Sequence, residues 1–156
     1  MERLSRSRML MGIALVTSER GTCSRLQVGA VFSKDGRILV NGYNGAPKGQ
    51  PHCLHECDCG GKVGFPEPHW PACASLAPCL IAQHAERNAI DFAARHGLQL
   101  EGSDLHVTHM PCEQCAGSLL NVGINTIFYM HPYRLTRGVE LLEAAGVRVL
   151  RMEPWS

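Results

Sequence analysis

The sequence predicts one α/β domain built on a mixed, five-stranded sheet with helices on both faces. Three observations carry that prediction. A helical run is followed by a strand hairpin. From residue 84 onward, helical and strand-like segments alternate, an order that folds into a parallel or mixed sheet. The 156 residues, 45% hydrophobic and 19% charged, suit a single core and leave no room for two typical domains. One domain over residues 1–156 is therefore expected.

Residues 5–18 read as the first helix. The basic stretch Met1–Arg8 and the apolar Met9–Val16 faintly resemble a secretory leader, but Glu19 and Arg20 restore charge at once and no A-x-A-like site follows. L-Q-V-G-A-V-F (26–32) and R-I-L-V-N-G-Y (37–43) read as strands joined across K-D-G, a hairpin turn. From about 44 to 80 the chain is rich in Gly, Pro, Cys and His and loses apolar periodicity. So long an insertion needs a source of order, and bound metal would provide it.

Regular structure returns at His84. H-A-E-R-N-A-I-D-F-A-A-R-H spaces Ala85, Ile90 and Ala93 for one helix face, with Gly97 as a C-cap. Leu105–His109 reads as a strand, and Cys112–Leu120 as a helix with Pro111 at its first position. Ile124–Met130, Thr136–Ala145 and Val147–Met152 then read as strand, helix and strand.

A formal charge of +1 lacks the basic footprint of a strong nucleic-acid binder. No stretch approaches the ~20 apolar residues of a membrane span. A cytoplasmic protein is expected, and in a reducing compartment the eight cysteines read as metal thiolates before disulfides.

The chemistry concentrates in two short segments, His84-Ala85-Glu86 and Pro111-Cys112-Glu113-Gln114-Cys115. Cys112 and Cys115 open a helix, where backbone N–H groups and the helix dipole favour thiolates. His84 opens another. Three protein ligands leave tetrahedral zinc one vacancy, the pattern of a catalytic site. Glu86 should stand beside the metal without ligating it, placed to move protons. C-x-x-C alone would indicate a structural site, with Glu86 an ordinary helix-start carboxylate. H-x-E together with P-C-x-x-C is the signature of zinc nucleobase deaminases. His96, His106 and His131 have no partner at ligand spacing and read as structural, while His109, just before P-C, is a candidate pocket residue.

N-G-Y-N-G-A-P (41–47), H-A-E-R-N-A-I (84–90) and T-H-M-P-C-E-Q-C-A (108–116) together resemble the deoxycytidylate (dCMP) deaminases of the cytidine deaminase superfamily. G-T-C-S-R-L-Q-V-G-A-V (21–31) and G-Y-N-G-A-P-K-G-Q-P-H-C (42–53) strengthen the match. The resemblance implies hydrolytic deamination of dCMP to dUMP, with metal-activated hydroxide attacking cytosine C4 and Glu86 as proton shuttle. It implies substrate contacts at Asn44, Ala85 and Tyr133, Asn44 meeting the sugar and the Ala85 carbonyl lying at the pocket. It also implies a homo-oligomer and regulation by dCTP and dTTP.

A structural zinc is implied at Cys23, Cys53 and Cys79, with Cys57 or Cys59 as fourth ligand. Cys73, His55 and His69 could complete a second such site; the alternative is one structural zinc with spare thiols. One catalytic and one or two structural Zn²⁺ are therefore expected. Arg20, Arg25, Lys48 and Arg134 are the candidates for the phosphate, and the sequence does not say which supplies it. Alternative readings are a deaminase of a modified cytosine nucleotide or dCTP, one acting on tRNA or single-stranded DNA, and a zinc-stabilised module without activity.

Overall fold

The computed structural model describes residues 3–23, 26–50, 52, 55–56, 62–63, 82–133 and 135–154. Its elements run α1 (Arg6–Ser18), β1 (Gly29–Lys34), β2 (Arg37–Tyr43), β3 (His55–Glu56), β4 (Lys62–Val63), α2 (Ala85–His96), β5 (Asp104–His109), α3 (Glu113–Asn121), β6 (Thr126–His131), α4 (Arg137–Ala144) and β7 (Arg148–Arg151). The main sheet has five strands in the order β2-β1-β5-β6-β7. β1 is antiparallel to both neighbours, whereas β5, β6 and β7 run parallel. The mixed sheet expected from the sequence is therefore present.

Alternation along the strands separates two apolar layers. Ala30, Phe32, Leu105, Val107 and Ile127 pack against Ala85, Ala89 and Ala93 of α2, Ala116 and Leu119 of α3, and Leu142 of α4. Val31, Phe128 and Met130 face the other way, onto Leu10, Met11 and Ala14 of α1. One helix thus covers one face and three cover the other. Among the described residues, no helix is long and apolar enough to cross a membrane.

The hairpin turn is as expected. Lys34 pairs with Arg37, and Asp35 and Gly36 take positive φ of 53° and 74°, the form a two-residue turn requires. β1 begins at Gly29, three residues later than the pattern indicates. The reason is a side chain: the Asn44 amide donates to the Leu26 carbonyl at 2.6 Å and accepts from the Val28 N–H at 2.8 Å. Those backbone groups are bound to Asn44, and the described ladder starts beyond them. α3 also begins later than expected, at Glu113. Cys112 is extended (φ −75°, ψ 170°) and serves as N-cap, which puts Pro111 outside the helix. Within 44–80, β3 and β4 pair antiparallel, a feature with too few residues to leave a periodic signal.

Candidate metal centre and active site

Two helix N-termini meet at the site. His84 is the N-cap of α2, extended at φ −70°, ψ 153°, and Cys112 is the N-cap of α3. Cys115 follows in the first turn of α3, and Glu86 in the first turn of α2. Both termini offer N–H groups with no partner inside the helix and partial positive charge, which stabilise thiolates and a carboxylate; the Cys115 N–H donates to Cys112 Sγ and the Glu86 N–H to its own carboxylate.

His84 Nδ1 lies 3.4 Å from Cys112 Sγ and 3.3 Å from Cys115 Sγ. All three donor atoms fall within 4.8 Å of one another. Bond lengths of about 2.3 Å to sulfur and 2.0–2.1 Å to nitrogen in a tetrahedron put those atoms about 3.5 Å apart, so the trio fits zinc. Its protonation is consistent with that fit. Hydrogen bonding from Cys115 and then from His84 draws the Cys112 thiol well below its ordinary value, while the bond to Cys112 raises His84. The same shared proton pushes the Cys115 thiol upward. The protons that hold the cluster together are the ones a divalent cation replaces.

Glu86 is 4% exposed, and burial raises its carboxyl above the usual range, with His84 partly offsetting the rise. A buried carboxyl beside three metal donors is suited to taking up and releasing a proton.

The remaining expected residues fall into three groups. Asn44 is brought close, because Gly45 and Gln83 exchange backbone hydrogen bonds of 3.0 and 2.8 Å immediately before His84. Gln83 was not legible as a site residue; its signal is structural, a bridge to Gly45 and a side-chain bond to Asp91. Ala85 is fully buried and its carbonyl lies against Gly42 of β2, so the group it can offer a pocket is its N–H at the start of α2. Tyr133 is partly buried on the segment between β6 and α4. Cys23 is buried and joined in no disulfide. Cys53, Cys57, Cys59, Cys73, Cys79, His69, Arg25 and Arg134 lie outside the described residues, and His55 is described only as part of β3. Of the phosphate candidates, Arg20 sits 6.0 Å from the Tyr43 ring centroid and Lys48 is exposed.

Comparison with known proteins agrees with this geometry. Residues 4–131 match the model of the cytidine and deoxycytidylate deaminase zinc-binding region. ComE operon protein 2 of Bacillus subtilis is 35% identical over 155 residues, covering 98% of this chain and 74% of the relative. The deoxycytidylate deaminase of phage T4 is 31% identical over 172 residues, covering 92% and 88%. The crystal structure of the cyanophage S-TIM5 dCMP deaminase with dCMP and dUMP superposes with a TM-score of 0.78 at 29% identity, covering 97% of this chain and all of that one. The spacing that brings His84, Glu86, Cys112 and Cys115 to one point is thus carried on a matched fold, and the chain belongs to the cytidine and deoxycytidylate deaminase zinc-binding family.

Proposed function

We propose that the chain converts dCMP to dUMP and ammonia by hydrolysis at cytosine C4. The observation that carries this reading is a buried carboxyl, Glu86, in the first turn of the helix whose N-cap is the metal-donor His84. That the phage T4 relative is a deoxycytidylate deaminase, and that the cyanophage enzyme is seen with dCMP and dUMP, support dCMP over other cytosine nucleotides.

His84, Cys112 and Cys115 would hold Zn²⁺, which when bound would supply Lewis acidity and lower the pKa of water at the site. Glu86 takes the proton of the attacking water and delivers it to ring N3. A second transfer through the same carboxyl protonates the exocyclic nitrogen, which leaves as ammonia. One water is consumed, the C4–N bond breaks and a C4 carbonyl forms. Asn44 meets the sugar and Tyr133 borders the pocket, while the N–H groups opening α2 and α3 steady charge that develops on the ring.

The same reading assigns a structural zinc to Cys23, Cys53, Cys79 and one of Cys57 or Cys59, with Cys73, His55 and His69 available for another. Residues 44–80 are then a metal-ordered insertion in one domain. A homo-oligomer is supported by an outward apolar stripe on α1, where Met9 and Val16 are exposed beside half-buried Ile13. Regulation by dCTP and dTTP would act at the Asn44–Gly45 turn.

Ammonia release measured with dCMP, cytidine, dCTP and 5-substituted dCMP tests the reading. Turnover of dCMP above the others is expected; preference for a different cytosine compound would replace dCMP with that substrate.

A further inference from the structure

At the carboxyl ends of β5 and β6, His109 and His131 stand opposite each other in register. Their ring centroids are 4.8 Å apart and the planes are tilted by 35°. Both lie outside the metal cluster and have no part in the steps above. Alternation aligns His109 with Leu105 and Val107, and His131 with Ile127 and Tyr129, on the sheet face covered by α2, α3 and α4. That face carries Glu86 and the metal donors, and His109 leads through Met110 and Pro111 directly to Cys112. Two contacts hold the chain after His131 to the same region. The Met110 N–H donates to the His131 carbonyl at 2.9 Å, and a β-carbon on Gly138 of α4 would stand 2.5 Å from the Pro111 carbonyl oxygen. Ligand crevices in such sheets open at the carboxyl ends of the parallel strands.

His109 is also held from behind. The Gly29 N–H donates to Thr108 Oγ1 at 3.2 Å, and that oxygen lies 3.0 Å from His109 Nδ1. A hydroxyl that accepts one hydrogen bond still has a proton to give. Given to Nδ1, it leaves Nε2 as the ring's N–H donor. Burial, reinforced by His131, lowers His109 to about 4, so the ring is neutral near pH 7 and its tautomer decides what it can do.

Resting on the dCMP reading, we propose that Thr108 fixes His109 as an Nε2–H donor and that His109, with His131 beside it, receives the 5′-phosphate of the nucleotide. Depth supports this placement. Glu86 and Cys115 are buried, His109 is half-buried and His131 is exposed, so a base seated at Glu86 leaves its phosphate at the outer level. An acceptor-only anion is the group that N–H donors there would recognise. Thr108 is then a positioning residue and His109 a binding residue.

The test compares inhibition by dUMP and by deoxyuridine, which differ by the phosphate, using the zinc-loaded full chain. His109→Leu is expected to weaken dUMP about tenfold or more while deoxyuridine is unaffected. The KM for dCMP should rise by more than kcat falls. Thr108→Val should shift the same ratio in the same direction, and Thr108→Ser should restore it; this pair carries the test if His109→Leu does not fold. An unchanged dUMP constant, or equal weakening of both ligands, overturns the proposal alone. Absence of dCMP turnover in the wild type overturns the substrate reading and this proposal together.

Discussion

Gly42 of β2 lies flat against Ala89 of α2, so that a β-carbon at position 42 would stand 2.7 Å from the Ala89 amide nitrogen and 3.0 Å from the Ala89 β-carbon. It would also press on the Ala85 carbonyl. α2 starts with His84 and Glu86, the metal donor and the proton shuttle of the proposed mechanism, so its distance from the sheet also sets where that chemistry would take place.

Gly42→Ala should therefore affect stability and catalysis together. The neighbours are two backbone atoms and a β-carbon fixed to the backbone, none of which can turn aside as a flexible side chain would. Overpacking of this kind costs about 1–3 kcal/mol. Displacement of His84 and Glu86 should lower kcat and weaken zinc retention as well. Thermal melts, zinc content and dCMP turnover check this; wild-type values in all three would mean that α2 can shift without cost to the site.

Glu86→Gln keeps the shape of a buried side chain and removes its ability to accept a proton. Turnover of dCMP should fall by about 10²–10⁴, the usual worth of a positioned acid–base group. Zinc content should stay at the wild-type level, because the donor trio does not include Glu86. Near-normal turnover with full zinc would remove the proton shuttle from the mechanism.

The two short motifs were legible because ligand chemistry depends on local spacing. His84 with Glu86, and Cys112 with Cys115, need only a helix start to come together. Most elements were legible from periodicity, with ends displaced by a residue or two. The larger displacement, at β1, arises from the Asn44 side chain, which competes with the sheet for the backbone at Leu26 and Val28. The helix start at Glu113 reflects the extended backbone of Cys112, which Pro111 alone does not reveal. Contacts set by tertiary register were not legible. The Gly45–Gln83 bridge and the His109–His131 pair join residues far apart in sequence, and only the assembled sheet brings them together.

Metal content separates the catalytic site from the proposed structural one. Elemental analysis should find about two or three zinc per chain, counting four protein ligands for each closed site and three for the open one. Cys112→Ser should abolish turnover with a modest loss of stability. Cys53→Ser should instead lower the melting temperature, because structural zinc contributes folding energy directly. One zinc per chain, with Cys53 and Cys79 titrating as free thiols, would leave only the catalytic metal.

His106 should make the fold sensitive to acid through a group that has no part in the metal site. Its ring is 2% exposed, stacked on Phe128 at 4.5 Å, and its Nε2 lies 2.8 Å from Ser7 Oγ of α1. Nδ1 is buried with no hydrogen-bond partner among the described residues. Burial lowers His106 to about 4, with Asp104 opposing the shift, whereas an unfolded histidine titrates near 6.5. The folded state thus favours the neutral ring. Its contribution is complete above about pH 6.5 and is lost progressively as pH falls toward 4, where the folded ring also takes a proton. Over that window the loss amounts to about 3 kcal/mol. Acid also strips zinc from its donors, so the measurement must be a difference. Denaturant midpoints of wild type and His106→Phe, taken at matched pH from 7.5 to 4.5, share the metal contribution and differ in the imidazole. The variant should lose less stability than the wild type below pH 6.5. Parallel curves would show that protonation of His106 does not oppose the seating of α1 on the sheet.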